Sequence, residues 1–399
     1  MLIPISYNLR SLFVRRASTT LTVLGMGTTV AIVAGVHSLQ QGFQTLFTTA
    51  GREDVAVLLR PGATSETASQ FSRDRGLKLI KTSPEFALGE YGEPLASMEC
   101  YLGALLPRLD GNSTNVPIRG VQPATFEIRR GELEIVEGRN FAPGSDEMIV
   151  GRKLTERIQD CQVGGVLQIN TTPFRVVGVF SHPGSFESEV WGDLDRVLAA
   201  CSQYGPNRVI AKVRPGVEIG NSDSVQASGP GSLAARLETD REVPAKVMTE
   251  REFLESQTRI LSTVLLRLGA ALAVIMGIAA VFTATNTMLS ALAARTHEIG
   301  ILLATGFRPF PVFLSFLLES LLLGLIGGAV GCLMTLPING VKTATMNAQT
   351  FTEIAFAFRV TPRVLVTSVL FALALGLLGG ALPAWRAARL TPTEALRRH

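Results

Sequence analysis

The residues of this chain that could do chemistry are few and scattered. His37, His182, His297 and His399 are far apart in sequence and fit neither a metal site nor a histidine-based triad. Cys100, Cys161, Cys201 and Cys332 form no Cys-x-x-Cys pair and have no histidine at metal spacing. They read as small hydrophobes, with one disulfide among the first three left open. No Gly-x-x-x-x-Gly-Lys-Ser/Thr run occurs, so there is no P-loop route to ATP, and Gly-x-Ser-x-Gly and His-Glu-x-x-His are absent too. We therefore expect no catalytic, cofactor-binding or metal-binding residues, and no enzyme chemistry within the chain.

Two features are less ordinary. Glu319 is the one acidic residue inside a long apolar run, about eleven residues past Arg308, or roughly 16 Å along a helix axis. A carboxylate there is costly and is usually paired or functional. Our expectation is structural: a neutral or hydrogen-bonded Glu319 meeting a polar group such as Asn286 on a neighbouring helix. The second feature is a polar island between two apolar runs, Arg295-Thr-His-Glu-Ile-Gly-Ile-Leu-Leu-Ala-Thr-Gly-Phe-Arg308-Pro309. It has charge at its start, an apolar centre, Gly306 as a stop and Pro309 opening the next run. That pattern reads as a short helix lying in a membrane interface.

Four apolar runs must position these residues. They lie between Arg16 and Arg52, Arg267 and Arg295, Arg308 and Lys342, and Arg363 and Arg386. Each can span a bilayer, which takes roughly 20 residues. Arg10, Arg15 and Arg16, Arg295 and Arg308, and Arg386, Arg389, Arg397 and Arg398 flank the runs on one side, which should be cytoplasmic. Both termini and the island then face the cytoplasm. The first run is expected to be an uncleaved anchor, since no small-x-small cleavage site follows it. Net charge is +4, too mild to argue for nucleic acid. Gly324, Gly327, Gly328 and Gly331 in the third run and Gly376 and Gly380 in the fourth place small residues on helix faces. Such spacing lets backbones approach in lipid, and we expect a tightly packed bundle that could also dimerise.

The long segment between the first two runs reads as an α+β domain. Strands are expected at Asp54–Arg60, Val166–Asn170, Phe174–Phe180 and Asn207–Arg214, bounded by Pro-Gly or a tight turn. Helices are expected over Arg152–Ile158, Asp193–Cys201, Ser232–Glu238 and from Glu250 into the second run, and Gly216–Gly231 reads as a surface loop.

This pattern resembles the MacB/FtsX class of ABC transporter permeases. The resemblance is carried by Arg-x-His-Glu-Ile-Gly-Ile-Leu-x-Ala-x-Gly in the island, by Leu-Leu-Glu-Ser at Glu319, and by the closing Pro383-Ala-Trp-Arg-Ala-Ala-Arg-Leu-Thr-Pro-Thr-Glu-Ala-Leu-Arg397. Ile118-Arg-Gly-Val, Gly138-Arg-Asn-Phe, Val150-Gly-Arg and Phe174-Arg-Val-Val-Gly-Val-Phe are similar to the MacB periplasmic core domain. The resemblance implies an α-helical membrane protein with four transmembrane helices and an α+β extracytoplasmic domain between the first and second. The implied segments are a cytoplasmic stretch 1–17, a first span 18–39, the outer domain 40–256, a stalk and second span 257–289, and a cytoplasmic coupling-helix loop 290–309. The third span 310–336, an outer loop 337–361, a fourth span 362–384 and a cytoplasmic tail 385–399 complete them.

It further implies a split-type permease of the inner membrane that works with a separate cytoplasmic ATPase, which would bind the ATP and Mg, and with a second permease subunit, favoured as a copy of this chain. The coupling surface would be Arg295, His297, Glu298, Ile299, Leu302 and Gly306. ATP-driven closure would move the outer domains, by mechanotransmission, to export or extract a lipoprotein, peptide or small amphiphile, with a periplasmic adaptor as an optional partner. The alternative is an FtsX-like complex that regulates an extracytoplasmic cell-wall hydrolase and transports nothing.

Overall fold

The computed structural model describes residues 16–48, 51–224, 229–306, 308–346 and 352–391. The chain divides into two units, one of helices and one built on a sheet. In chain order, helix α1 (Arg16–Thr48) is followed by β1 (Val55–Leu59), α2 (Arg73–Thr82), the long hairpin strands β2 (Ala96–Pro107) and β3 (Ser113–Val121), and α3 (Pro123–Ile128). Next come β4 (Glu134–Gly138), β5 (Glu147–Gly151), α4 (Arg152–Thr155), β6 (Val166–Ile169) and β7 (Thr172–Ser181). A 3₁₀ turn at Ser185–Ser188 leads to β8 (Val190–Asp193), α5 (Leu194–Ala200), β9 (Arg208–Lys212), α6 (Leu233–Thr239) and β10 (Lys246–Thr249). The chain then runs through α7 (Glu250–Ala294), α8 (Thr296–Ala304), α9 (Pro309–Thr335), β11 (Lys342–Met346), β12 (Glu353–Ala357) and α10 (Pro362–Ala388).

The sheet unit holds ten strands in the order β10-β1-β9-β2-β3-β8-β5-β7-β4, with β6 added to β7. Pairing is antiparallel except for β3 with β8 and β5 with β7. All five residues of β1 are buried, as a strand paired on both edges and covered on both faces requires. The β6–β7 hairpin turns at Asn170, whose φ of +52° suits the two-residue turns that match strand twist. Two helices start where side-chain caps appear in the sequence. The Asp193 carboxylate accepts from the Asp195 and Arg196 amides at the head of α5, and the Ser232 hydroxyl caps α6. Cys100 and Cys161 sit in the core as free thiols, and burial pushes both up to about 12. The helical pattern at Arg152–Ile158 shrinks to the single turn α4. The surface loop expected over Gly216–Gly231 lies partly outside the described residues.

Among the described residues, four helices are long and apolar enough to cross a membrane: Arg16–Leu46, Leu261–Ala294, Pro309–Ile338 and Pro362–Ala388. In the helical unit α9 is the hub. A Cβ on Gly324 would stand 2.7 Å from Ala372 O of α10, and one on Gly328 would stand 2.8 Å from the Ala372 Cβ. On the other flank, a Cβ on Gly327 would meet Met26 of α1 at 2.8 Å, and one on Gly331 would meet Gly27 O at 2.7 Å. The two overlapping glycine pairs thus serve two neighbours, one face each. Gly376 closes on Ser320 O, and Gly380 on the Ser320 hydroxyl. These glycines are used within this chain, so the stripe that suggested dimerisation is already occupied by intramolecular packing.

Candidate functional site

The island forms α8. Arg295 N-caps it with φ −114° and ψ 10°, directly after α7 ends, and the Thr296 hydroxyl donates back to Leu292 O at 3.0 Å. Gly306 stops it in the left-handed region at φ +97°, where a side chain would be strained. Arg308 and Pro309 then open α9, with proline in the first turn, where its missing N–H costs nothing.

One face of α8 is turned inward. Thr296, Ile299 and Gly300 are buried at spacings of three and four, and Leu303 packs behind them. Ile299 joins a cluster with Met288, Leu292, Val312, Phe316 and Ala384. His297, Glu298 and Ile301 are exposed, Ile301 to 48%. This corrects the sequence expectation: Ile299 is core, at 4% exposure, and the apolar residue offered outward is Ile301. With apolar residues on every side of a nine-residue helix, composition alone does not set the phase. The inner face is decided by where α7 ends.

Arg295 is the second correction. Its side chain is only 13% exposed and folds inward, with Nη1 donating to Glu319 Oε2 at 3.2 Å, and Glu319 is itself 5% exposed. Arg295 therefore anchors α8 to α9 rather than contributing to an outer surface. Asn286, expected as a partner of Glu319, is exposed. The reach of a guanidinium explains the exchange, because a long stem carries the charge to a carboxylate that a short amide cannot meet. Leu302 is half-buried and Gly306 exposed.

Sequence reading missed a second polar constellation, inside the sheet unit. Arg119 on β3 makes a two-pronged contact with Glu189 at 2.7 and 2.9 Å and reaches Glu66 at 3.0 Å and Glu99 at 3.2 Å. Arg208 on β9 holds Glu99 at 2.6 and 2.9 Å and also pairs with Glu66. All five side chains are at most 6% exposed. Trp191 donates to Glu189 at 2.8 Å, and Tyr101 and Phe186 rings cover the Arg119 guanidinium. Burial would raise the Glu99 pKa, but Arg208, Arg119 and Arg129 outweigh it and hold the carboxylate down at about 2. Nearby, Arg129 pairs at 2.5 Å with Glu250, the first residue of α7, and both are at most 1% exposed. His182 is buried against Phe186, and burial together with the Arg129 and Lys153 charges lowers its pKa to about 3. Glu132, 3.7 Å away, favours the cation but is outweighed.

The described residues bring together no group of three or more histidine, cysteine, aspartate or glutamate side chains that could hold a metal. What they do offer is an anchored surface helix on one unit and a rigid, ion-paired core in the other.

Residues 19–223 match the family model of the MacB-like periplasmic core domain, about half of the chain, and residues 270–392 match that of the FtsX-like permease C-terminal region. The chain belongs to the MacB/FtsX family of ABC transporter permeases. Similar proteins include the macrolide export ATP-binding/permease protein MacB of Marinobacter nauticus, 26% identical over 97% of this permease and 59% of that protein. MacB of Nitrosomonas europaea is 28% identical over 66% of this chain and 40% of its own length. The pyoverdine export ATP-binding/permease protein PvdT of Pseudomonas entomophila is 26% identical over 78% and 47%. The chain thus spans roughly half the length of the curated relatives it matches. Among solved structures, the periplasmic region of MacB from Actinobacillus actinomycetemcomitans aligns with a TM-score of 0.36 at 14% identity, covering 52% of this chain and 93% of that one. The extracellular domain of the transporter YknZ aligns at 0.34 and 15%, covering 49% and 98%.

Proposed function

We propose that this permease is driven by a separate cytoplasmic ABC ATPase, which would bind ATP and Mg, and that it exports or extracts an amphiphile of the kind named for its relatives. The supporting observation is the division of α8: Arg295 and Ile299 fix one face to the bundle, while His297, Glu298 and Ile301 stand exposed on the other. A helix held so firmly on its inner side moves with the bundle when pushed from outside. On this reading ATP hydrolysis in the partner displaces α8, the spans follow, and α7, unbroken from Glu250 to Ala294, is the segment of chain that carries the displacement to the outer domain. Two copies of the permease would work with two ATPases, with both termini cytoplasmic.

The test replaces the exposed pair only. Glu298→Lys with Ile301→Asp should abolish ATPase co-purification and substrate-stimulated hydrolysis while thermal unfolding in nanodiscs stays within a few degrees of the parent. Retained co-purification and stimulation would rule out α8 as the docking surface.

A further inference from the structure

An open groove of about 490 Å³ lies where the last turns of α7 and α10 meet the start of α8. Leu289 and Leu292 of α7 make its apolar side, and Trp385 and Arg386 of α10, with Arg389 and Leu390 just beyond its end, make the other. Arg386 and Arg389 are three apart on one helical path, so two cations share a face. The Arg389 guanidinium lies 4.1 Å from the centre of the Trp385 ring, which is 50% exposed. Among the described residues no carboxylate lies within 4.0 Å of either guanidinium, in contrast to Arg295, which has Glu319. The same face of α10 continues into the bundle surface with Leu378, 60% exposed, and Leu382, 43% exposed, at spacings of seven and three before Trp385.

We propose that this groove binds an anionic phospholipid, with its phosphate between Arg386 and Arg389 and an acyl chain along Leu378, Leu382 and Leu289. The order along α10 is that of a lipid molecule: tail-facing leucines, an indole at the depth that tryptophan prefers, then two phosphate-binding forks. Guanidinium groups match phosphate oxygens in pairs, and basic pockets between spans are recurrent headgroup sites. The volume lies in the range of about 300–1,000 Å³ typical of pockets for small amphiphiles. Two arginines without an acid in the lining disfavour a zwitterionic headgroup, whose own cation would be brought against them. An acidic protein segment would satisfy the charges but not the exposed leucine track, which suits a hydrocarbon chain. The site is independent of whether α8 receives an ATPase, and its test needs no partner subunit.

The full chain is placed in phosphatidylcholine nanodiscs, and acyl-brominated phosphatidylglycerol or acyl-brominated phosphatidylcholine is added in increasing mole fraction. Trp385 emission reports contact, over a constant background from Trp191, which is buried in the sheet unit. Brominated phosphatidylglycerol should quench at a mole fraction roughly thirtyfold lower than brominated phosphatidylcholine, the scale expected from two interfacial cations at about 1 kcal/mol each. Arg386→Gln with Arg389→Gln should remove that preference, and the Lys–Lys variant should keep part of it. Equal quenching by both lipids in the parent chain overturns the proposal without recourse to any variant. So does the absence of quenching by either, which would mean that protein, such as a second copy of the chain, fills the groove.

Discussion

Replacing Glu99 by Gln should cost about 3 kcal/mol at neutral pH. The carboxylate is fully buried, takes Arg208 at 2.6 and 2.9 Å and Arg119 at 3.2 Å, and accepts from the Thr125 hydroxyl at 3.0 Å. Its pKa falls from 4.5 to about 2, and about 2.5 units at 1.36 kcal/mol each give roughly 3 kcal/mol. An independent route agrees, since removing one partner of a buried ion pair typically costs about 3–5 kcal/mol by stranding the other charge. The sign is fixed by the direction of the shift. A depressed carboxylate pKa stabilises fully above pH 4.5, and that contribution is lost as pH falls towards 2. The gap between parent and Glu99→Gln should therefore be constant from pH 7 to 5 and should narrow below 4.5. Thermal unfolding of the full chain in nanodiscs on a Trp385→Phe background, followed by Trp191 emission, reads the network directly because Trp191 donates to Glu189. The exposed Lys342–Glu156 pair, 70% and 62% accessible, supplies the control: Glu156→Gln should change stability by under about 0.5 kcal/mol. A Glu99→Gln loss below about 1 kcal/mol, or one that does not narrow in acid, would refute the claim that the arginines hold this carboxylate charged.

His182 predicts a pH dependence of its own. Its pKa is depressed to about 3, so the unfolded chain binds the proton first and stability falls as pH drops below 6.5, by up to about 3 kcal/mol near pH 4.5. Burial raises the Glu132 pKa, which works in the opposite direction in the same range; His182→Asn should nonetheless flatten the melting-temperature profile between pH 6.5 and 4.5, and an unchanged slope would exclude His182 as its source. For the Arg295–Glu319 pair the two single substitutions should differ: Glu319→Gln takes the acid away from a guanidinium that cannot lose its charge, whereas Arg295→Gln leaves a carboxyl group, which unlike a guanidinium can exist in a neutral form. The first should cost about 3 kcal/mol, the second nearer 1, and the double variant should resemble the second; equal, additive losses measured by thermal unfolding would show that the pair does not form in the bilayer.

How much of this was readable in advance depends on which interactions are local. The four spans are long apolar runs between basic residues, broken by charge only at Glu319, and β1, β6, β7 and β9 are bounded by Pro-Gly steps or tight turns, so short windows reveal them. The β2–β3 hairpin was invisible to such windows. Buried Glu99 and Arg119 break its alternation of polar and apolar residues, and each reads as a surface position until its partners are known. Those partners, Glu66, Glu189 and Arg208, come from three other places in the chain and are joined only by the sheet order. A charge is recognisable as core only when its counter-charge is, and no local pattern carries that information.

The island posed the same problem at smaller scale. Its position followed from the apolar runs around it, but Arg295 and Glu319 looked like two separate anomalies, an interfacial cation and a misplaced intramembrane acid. Each is the reason for the other. The carboxylate is tolerable within a span because a guanidinium from the α7–α8 junction reaches it, and the junction is held because that guanidinium is spent inward. The consequence bears on function. With Arg295 withdrawn from the surface and Ile299 in the core, the exposed residues of α8 are His297, Glu298, Ile301 and Ala304, a patch that offers a partner one acidic and one large aliphatic side chain. Under the proposed reading, a push on that patch bears on α9 at Glu319 through an ion pair and does not have to pass along the turn at Gly306. Breaking the pair should then uncouple hydrolysis from movement even where the ATPase still binds. Glu298→Lys with Ile301→Asp should instead remove binding itself, and co-purification measured beside stimulated hydrolysis separates the two.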